Sequence, residues 1–141
     1  MKRHFVSKRE TREFQTILQK FGISIQSKSI EIEENDHVVV YDGGKPILVK
    51  IGDAWLPTMS VMVANSFPRV RIDEGAHAGI KNGANLYAAG IRDIKGDLKK
   101  DSTCIIEDPS GRPIGSAVVV SEVSDIVERK KGSFLRVYEL H

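Results

Sequence analysis

A single cysteine, Cys104, leaves no partner for an internal disulfide, which fits a reducing cytoplasm and leaves the fold to be held by its core. The four histidines, at positions 4, 37, 77 and 141, lack ligand-like spacing, so no metal centre is expected. No stretch approaches the run of about twenty apolar residues that crosses a bilayer, and the apolar cluster near residue 61 is interrupted by Asn65 and Pro68. The basic N-terminus lacks the apolar segment and small-residue cleavage site of a secretory signal, so a soluble, cytoplasmic protein with no membrane partner is expected. Charge of one sign is also scarce. Lys and Arg number 21 against 19 Asp and Glu, a net +2, so any basic face must come from arrangement. The P-loop, the dinucleotide-binding glycine turn and the serine nucleophile elbow are all missing. A noncatalytic chain without cofactors is the expectation.

What is present is ordinary globular composition, with 40% hydrophobic and 28% charged residues. The clearest local charge excess is at the start, where Lys2, Arg3, Lys8, Arg9 and Arg12 are opposed only by Glu10. A solvated helix face with an Arg9 to Glu13 pair accounts for these charges without a ligand. Ser7 to Glu10 reads S-x-x-E, a capping box, and Phe14, Ile17, Leu18 and Phe21 then form one apolar stripe on a helix that Gly22 ends. From Ile30 the period changes. Ile30 and Ile32 alternate with acids, and His37 to Asp42 and Pro46 to Ile51 are β-branched runs around Gly43-Gly44, which predicts two strands and a tight hairpin. Trp55 to Phe67 is apolar but irregular and is assigned no element.

A boundary near Ser66 divides the chain into residues 1–66 and 67–141. In the second part, Val70 and Ile72 predict a short strand, Asp73 to Asn82 a short helix with Gly83 as its left-handed terminus, and Ala84 to Ala88 another strand. A polar loop is expected from Gly90 to Asp101, then a strand from Thr103 to Glu107 and a turn at Asp108-Pro109-Ser110-Gly111. Ile114 to Val120 reads as a buried strand, Ser124 to Arg129 as helical, and Phe134, Val137 and Leu140 as part of a final strand. This order predicts an α+β chain, in which a small α/β domain precedes a mostly antiparallel barrel with short helices.

Adjacent Asp73 and Glu74 suit a helix start better than acid/base chemistry, and Cys104 reads as a core residue. His77 reads as packed or solvated, with ligand contact the lesser alternative. The density of small residues from Gly75 to Asn85, ahead of Ala88-Ala89-Gly90-Ile91, is distinctive. Glycines at 83 and 90 could take positive φ and admit another backbone, with amides free for phosphate or sugar oxygens. Tight contact between helix and sheet explains the same residues equally well.

At these residues the sequence resembles the PUA domain, an RNA-binding module. The likeness rests on Phe67-Pro68-Arg69-Val70-Arg71-Ile72-Asp73-Glu74-Gly75-Ala76, Ile80-x-x-Gly83-Ala84-Asn85, Gly90-Ile91 and Ile114-Gly115-Ser116-Ala117. Ala89 stands where family members often carry proline. Over its whole length the chain is similar to archaeal PUA proteins related to the eukaryotic malignant T-cell amplified sequence protein, in which a pre-PUA domain comes first. That likeness includes Trp55-Leu56-Pro57-Thr58 before the Phe67-Pro68 junction.

The resemblance implies binding of structured RNA, often near a 3′ single-stranded end, in a groove beside the first PUA helix and second strand. It places Gly75, Ala76, Gly83, Ala84, Asn85, Gly90 and Ile91 in that groove. Lys81 and Arg92 flank the set and are expected to contact phosphate, as are Arg69 and Arg71. The family also implies association with the small ribosomal subunit, tRNA or rRNA in translation initiation, reinitiation or recycling. Two other readings remain open: an adaptor that recruits a ribosomal protein or initiation factor, and an accessory subunit of an RNA-modifying enzyme.

Overall fold

The computed structural model describes residues 3–82, 85–124 and 132–141. The chain divides into two compact units, Met1–Asn65 and Ser66–His141.

The first unit runs β1 (Arg3–Phe5), α1 (Lys8–Lys20), β2 (Ile30–Glu34), β3 (Val38–Asp42), β4 (Lys45–Ile51), β5 (Ala54–Pro57) and α2 (Met59–Ala64). Its five strands lie in the order β1-β2-β3-β4-β5, each pair antiparallel. Helix α1 starts where the capping box demands. Ser7 Oγ accepts from the Glu10 amide at 3.1 Å, and the Glu10 carboxylate accepts from the Ser7 amide at 3.2 Å. Hydrogen bonds to the Glu10 carboxylate, from the Ser7 amide first and the Ser7 side chain second, hold that carboxyl below its ordinary range. Phe14 and Leu18 are buried, and Phe14 meets Trp55 of β5 edge-on with ring centroids 5.3 Å apart, which seats the helix on the sheet. Between β3 and β4, Gly43 and Gly44 have φ of 57° and 85°, the two left-handed positions that a two-residue hairpin requires.

Three elements here differ from the sequence expectations. Arg3 lies on edge strand β1, ion-paired to Glu33 at 3.1 Å and stacked 3.6 Å over the Tyr41 ring, rather than on the solvated helix face expected for the N-terminal charges. The stretch assigned no element holds β5 and α2. Thr58 caps α2 by accepting from the Val61 amide, while its hydroxyl donates to the Pro46 carbonyl at 2.7 Å.

The second unit runs β6 (Arg69–Ile72), α3 (Glu74–Lys81), β7 (Leu86–Tyr87), a 3₁₀ turn (Ala88–Gly90), β8 (Ile91–Lys95), β9 (Thr103–Glu107), β10 (Pro113–Val119) and β11 (Ser133–Leu140). The six strands follow the order β7-β11-β10-β9-β6-β8, with β6 and β9 parallel and the other pairs antiparallel. The two edge strands, β7 and β8, are joined by only the three residues of the turn. Three residues span on the order of 10 Å, whereas six flat strands would spread their edges about 24 Å apart. The sheet therefore curls toward closure, as a barrel does. Val70, Ile72, Ile80, Leu86, Cys104, Ile106, Ala117, Phe134 and Leu135 are buried in the core of this unit. Burial pushes the Cys104 thiol up to about 12, so it is an inert core group.

The polar loop expected from Gly90 is corrected by β8. Ile91 lies opposite Ile72 and Ile94 opposite Val70, so three steps on β8 match two on β6, and this bulge lets both isoleucines meet the core. The strand expected from Ala84 shrinks to Leu86–Tyr87, because Ala88 already belongs to the 3₁₀ turn. The turn after β9 forms as expected. The Gly111 amide donates to the Asp108 carbonyl at 2.9 Å, and Gly111 has φ 89°. The Ser110 hydroxyl and the Arg112 amide both donate to the Asp108 carboxylate and hold its pKa below the ordinary value. Residues 125–131, which include most of the expected Ser124 to Arg129 helix, lie outside the described residues.

Candidate nucleic-acid interface

Helix α3 opens on Asp73, whose carboxylate accepts from the Ala76 amide at 2.7 Å, so this acid serves as a cap. The Asp73 amide donates to the Gly90 carbonyl at 2.9 Å and ties the start of the helix to the 3₁₀ turn. That tie needs a very close approach. A Cβ placed on Gly90 would stand 2.5 Å from the Ala76 Cβ, so only glycine fits under the helix. Gly90 is not among the residues with positive φ, and the expectation of a left-handed residue there is corrected. Its lack of a side chain is used for contact, at the last residue of the 3₁₀ turn.

Beside this contact a groove of about 350 Å³ stays open. Asp73, Gly75, Ala76 and Gly79 form one wall, Asn85, Leu86 and Tyr87 the other, and Ala89 and Gly90 the end. Of the residues proposed from sequence, Gly75, Ala76, Asn85 and Gly90 come together here. Gly83 and Ala84 lie outside the described residues. Ile91 turns against the core.

The four cations do not line the groove. Lys81 is exposed at the last turn of α3, and Arg92 is exposed on β8. Arg69 and Arg71 alternate with buried Val70 and Ile72, so they project from the opposite face of β6. Arg69 already has a partner there: its guanidinium donates to the buried Glu107 carboxylate at 3.1 Å, with Lys95 3.9 Å from the second oxygen. A buried carboxylate needs such compensation, which gives Arg69 a structural task.

Sequence reasoning missed Tyr87. The residue is 55% exposed at the groove wall, enough to offer an aromatic face to a base. The signal was present in outline, since Leu86 is apolar and inward, and alternation on a strand sends its neighbour outward. It also missed Asp73, Gly79, Leu86 and Ala89 as lining. The chemistry of the set is that of shape recognition: small residues admit a chain closely, Asn85 carries an amide donor and acceptor, and Tyr87 carries a stacking surface. Among the described residues the only charge on the lining is the Asp73 carboxylate, which disfavours phosphate within the groove itself. Among the described residues no group of His, Cys, Asp and Glu could hold a metal ion, and no helix is long and apolar enough to cross a membrane.

Comparison with known proteins places this geometry. Residues 68–139 match the PUA domain, and residues 2–65 match a domain of unknown function, DUF1947. An uncharacterized protein of Methanocaldococcus jannaschii is 25% identical over 96% of this chain and 89% of its own length. The structure of a conserved PUA domain protein from Thermoplasma acidophilum is 27% identical, covers 99% of this chain and 93% of its own, and superposes with a TM-score of 0.76. A chain of an archaeal box H/ACA sRNP complex shares the fold at a TM-score of 0.52 and 23% identity, over 62% of this chain and 28% of its own. With more than half of its length matched by that RNA-binding module, the chain belongs to the PUA domain family.

Proposed function

We propose that the chain binds a single-stranded portion of a structured RNA, such as a 3′ end, in the groove between α3 and β7. One observation carries this reading: the groove is open, walled by small residues, and has an exposed aromatic ring at its rim. A base stacks on Tyr87, Asn85 reads a base edge or sugar hydroxyl, and the sugar-phosphate chain passes over Gly75 and Gly79. Phosphates stay outside the groove, clear of Asp73, where Lys81 and Arg92 supply salt-dependent attraction.

The biological setting we assign is translation, on tRNA or the small ribosomal subunit. The support is the combination of a DUF1947 unit with a PUA domain, an order that resembles archaeal relatives of the eukaryotic malignant T-cell amplified sequence protein. Crosslinking the protein to RNA in cells and sequencing what is attached tests this setting. Enrichment of tRNA acceptor ends or small-subunit rRNA is expected. Recovery of modification guide RNAs in their place would contradict translation and favour an accessory role in RNA modification. Protein partners that survive nuclease treatment while no RNA is recovered would favour the adaptor reading.

A further inference from the structure

We propose that the first unit carries a second, separate RNA contact: a cationic groove along α1 that takes the phosphodiester backbone through Lys8, Arg12 and Lys28. The cavity there has a volume of about 420 Å³ and is lined by these three cations with Val6, Thr11 and Gln15. Among the described residues no carboxylate lines it.

Its construction follows from the sequence. The capping box fixes the start of α1, so residues 8, 11, 12 and 15 fall on one face of the helix. Gln15 Nε2 reaches the Ile25 carbonyl at 3.5 Å, and the Val6 amide donates to the Ile30 carbonyl at 3.0 Å. These bonds hold the segment between α1 and β2 along that face and bring Lys28 to the cations of the helix. The Thr11 hydroxyl is already engaged with the Ser7 carbonyl at 3.0 Å, so the charged donors of the cavity are the three cationic heads.

The acids of the helix are directed elsewhere. At about 100° per residue, Glu10 and Glu13 lie about 150° around the helix from this face. Glu10 is held in the capping box, and Glu13 pairs with Arg9 at 3.6 Å. Among the described residues Lys8, Arg12 and Lys28 therefore have no carboxylate to neutralise them, in a chain whose net charge is only +2. Lys8 is also at the first helical position, the end of a helix where the dipole disfavours a cation. Such a placement is locally unfavourable for folding and favourable for holding an anion. Three cations along one concave face match a repeating phosphate better than a lone ion, and the RNA-binding family of the second unit supplies the polymer. This site does not depend on the groove beside α3.

The test is a labelled pool of random-sequence single-stranded RNA bound to the full chain at several salt concentrations. The triple variant K8Q/R12Q/K28Q should bind at least tenfold more weakly at low salt. The slope of log affinity against log salt should fall by about 2, at roughly 0.7 for each phosphate contact to a single strand. Thermal unfolding should be unchanged or slightly raised, because glutamine at position 8 relieves the dipole. The charge-preserving K8R/R12K/K28R variant should keep the wild-type slope, and K20Q/K45Q/K100Q, which removes three exposed cations elsewhere, should change it little. A wild-type slope in the first variant would overturn the proposal, as would an equal loss in the third. If millimolar inorganic phosphate displaced the RNA at constant ionic strength, the cavity would be a small-anion site and the RNA assignment would fail. Because G75L leaves this face intact, its effect separates failure of the α3 groove from failure of this one.

Discussion

Replacing Gly115 with alanine is expected to destabilise the protein by about 3 kcal/mol, toward the upper end of what overpacking costs. Gly115 lies in β10 opposite Leu140 of β11 and Ile106 of β9. A Cβ built there would collide with the Glu139 carbonyl oxygen, and the Glu139 carbonyl carbon and Leu140 Cα would each stand 3.3 Å away. All three are backbone atoms, so no rotamer change relieves the clash. The ladder is also irregular on both sides, with register shifts between Pro113 and Gly115 and between Ser116 and Ala117. The neighbouring bond of Ser116 Oγ to the Glu139 carboxylate, at 2.8 Å, resists outward movement of β11. For a unit of this size the loss corresponds to a melting temperature lower by about 10–20 °C, read by differential scanning calorimetry. An unchanged melting temperature would mean that β11 can shift and that the glycine is not required.

At Gly75 the same kind of substitution should have the opposite balance. A Cβ there meets only the Asp73 carboxylate oxygen, at an ordinary 3.6 Å, and the residue has no left-handed φ. Leucine should therefore fold without strain, and losing a glycine from the first turn of α3 stabilises slightly, by at most about 1 kcal/mol. Its side chain would occupy the groove. RNA affinity should fall by tenfold or more, about 1.4 kcal/mol, at every salt concentration. Alanine at both Lys81 and Arg92 should act differently. It lowers the salt slope by about 1.4 and weakens binding most at low salt, with the melting temperature nearly constant because both residues are exposed. Titrations by fluorescence anisotropy measure both quantities. Wild-type affinity in folded G75L would show that RNA does not enter the groove.

These contrasts show what the sequence makes legible. The start of α1 could be read because Ser7 and Glu10 satisfy each other's amides locally, and the β3–β4 hairpin because two glycines in succession permit its two left-handed residues. Neither depends on distant partners. Strand β8 was hidden because the bulge opposite Ile72 breaks the two-residue period and spaces its inward residues, Ile91 and Ile94, three apart. Strand β1 is three exposed residues whose charges find Glu33 and Tyr41 only across the sheet. Helix α2, at six residues, is too short to display a helical period, although Thr58 ahead of an apolar run marked its cap.

The groove was legible by composition and not by role. Glycine density located Gly75 and Gly90, but their tasks differ: Gly75 keeps space open, and Gly90 lets Ala76 close down. Only contacts across the chain distinguish the two. For the same reason the sequence offered Arg69 and Arg71 as phosphate contacts beside Lys81 and Arg92, although strand alternation could already send them to another face. The buried Glu107, thirty-eight residues after Arg69, is what gives Arg69 its partner.

Chemical-shift mapping tests the groove most directly. Amide spectra of the ¹⁵N-labelled full chain, titrated with RNA, should show saturable shifts at Gly75, Ala76, Gly79, Asn85, Tyr87 and Gly90. Saturable binding that leaves all six unmoved would contradict RNA recognition between α3 and β7.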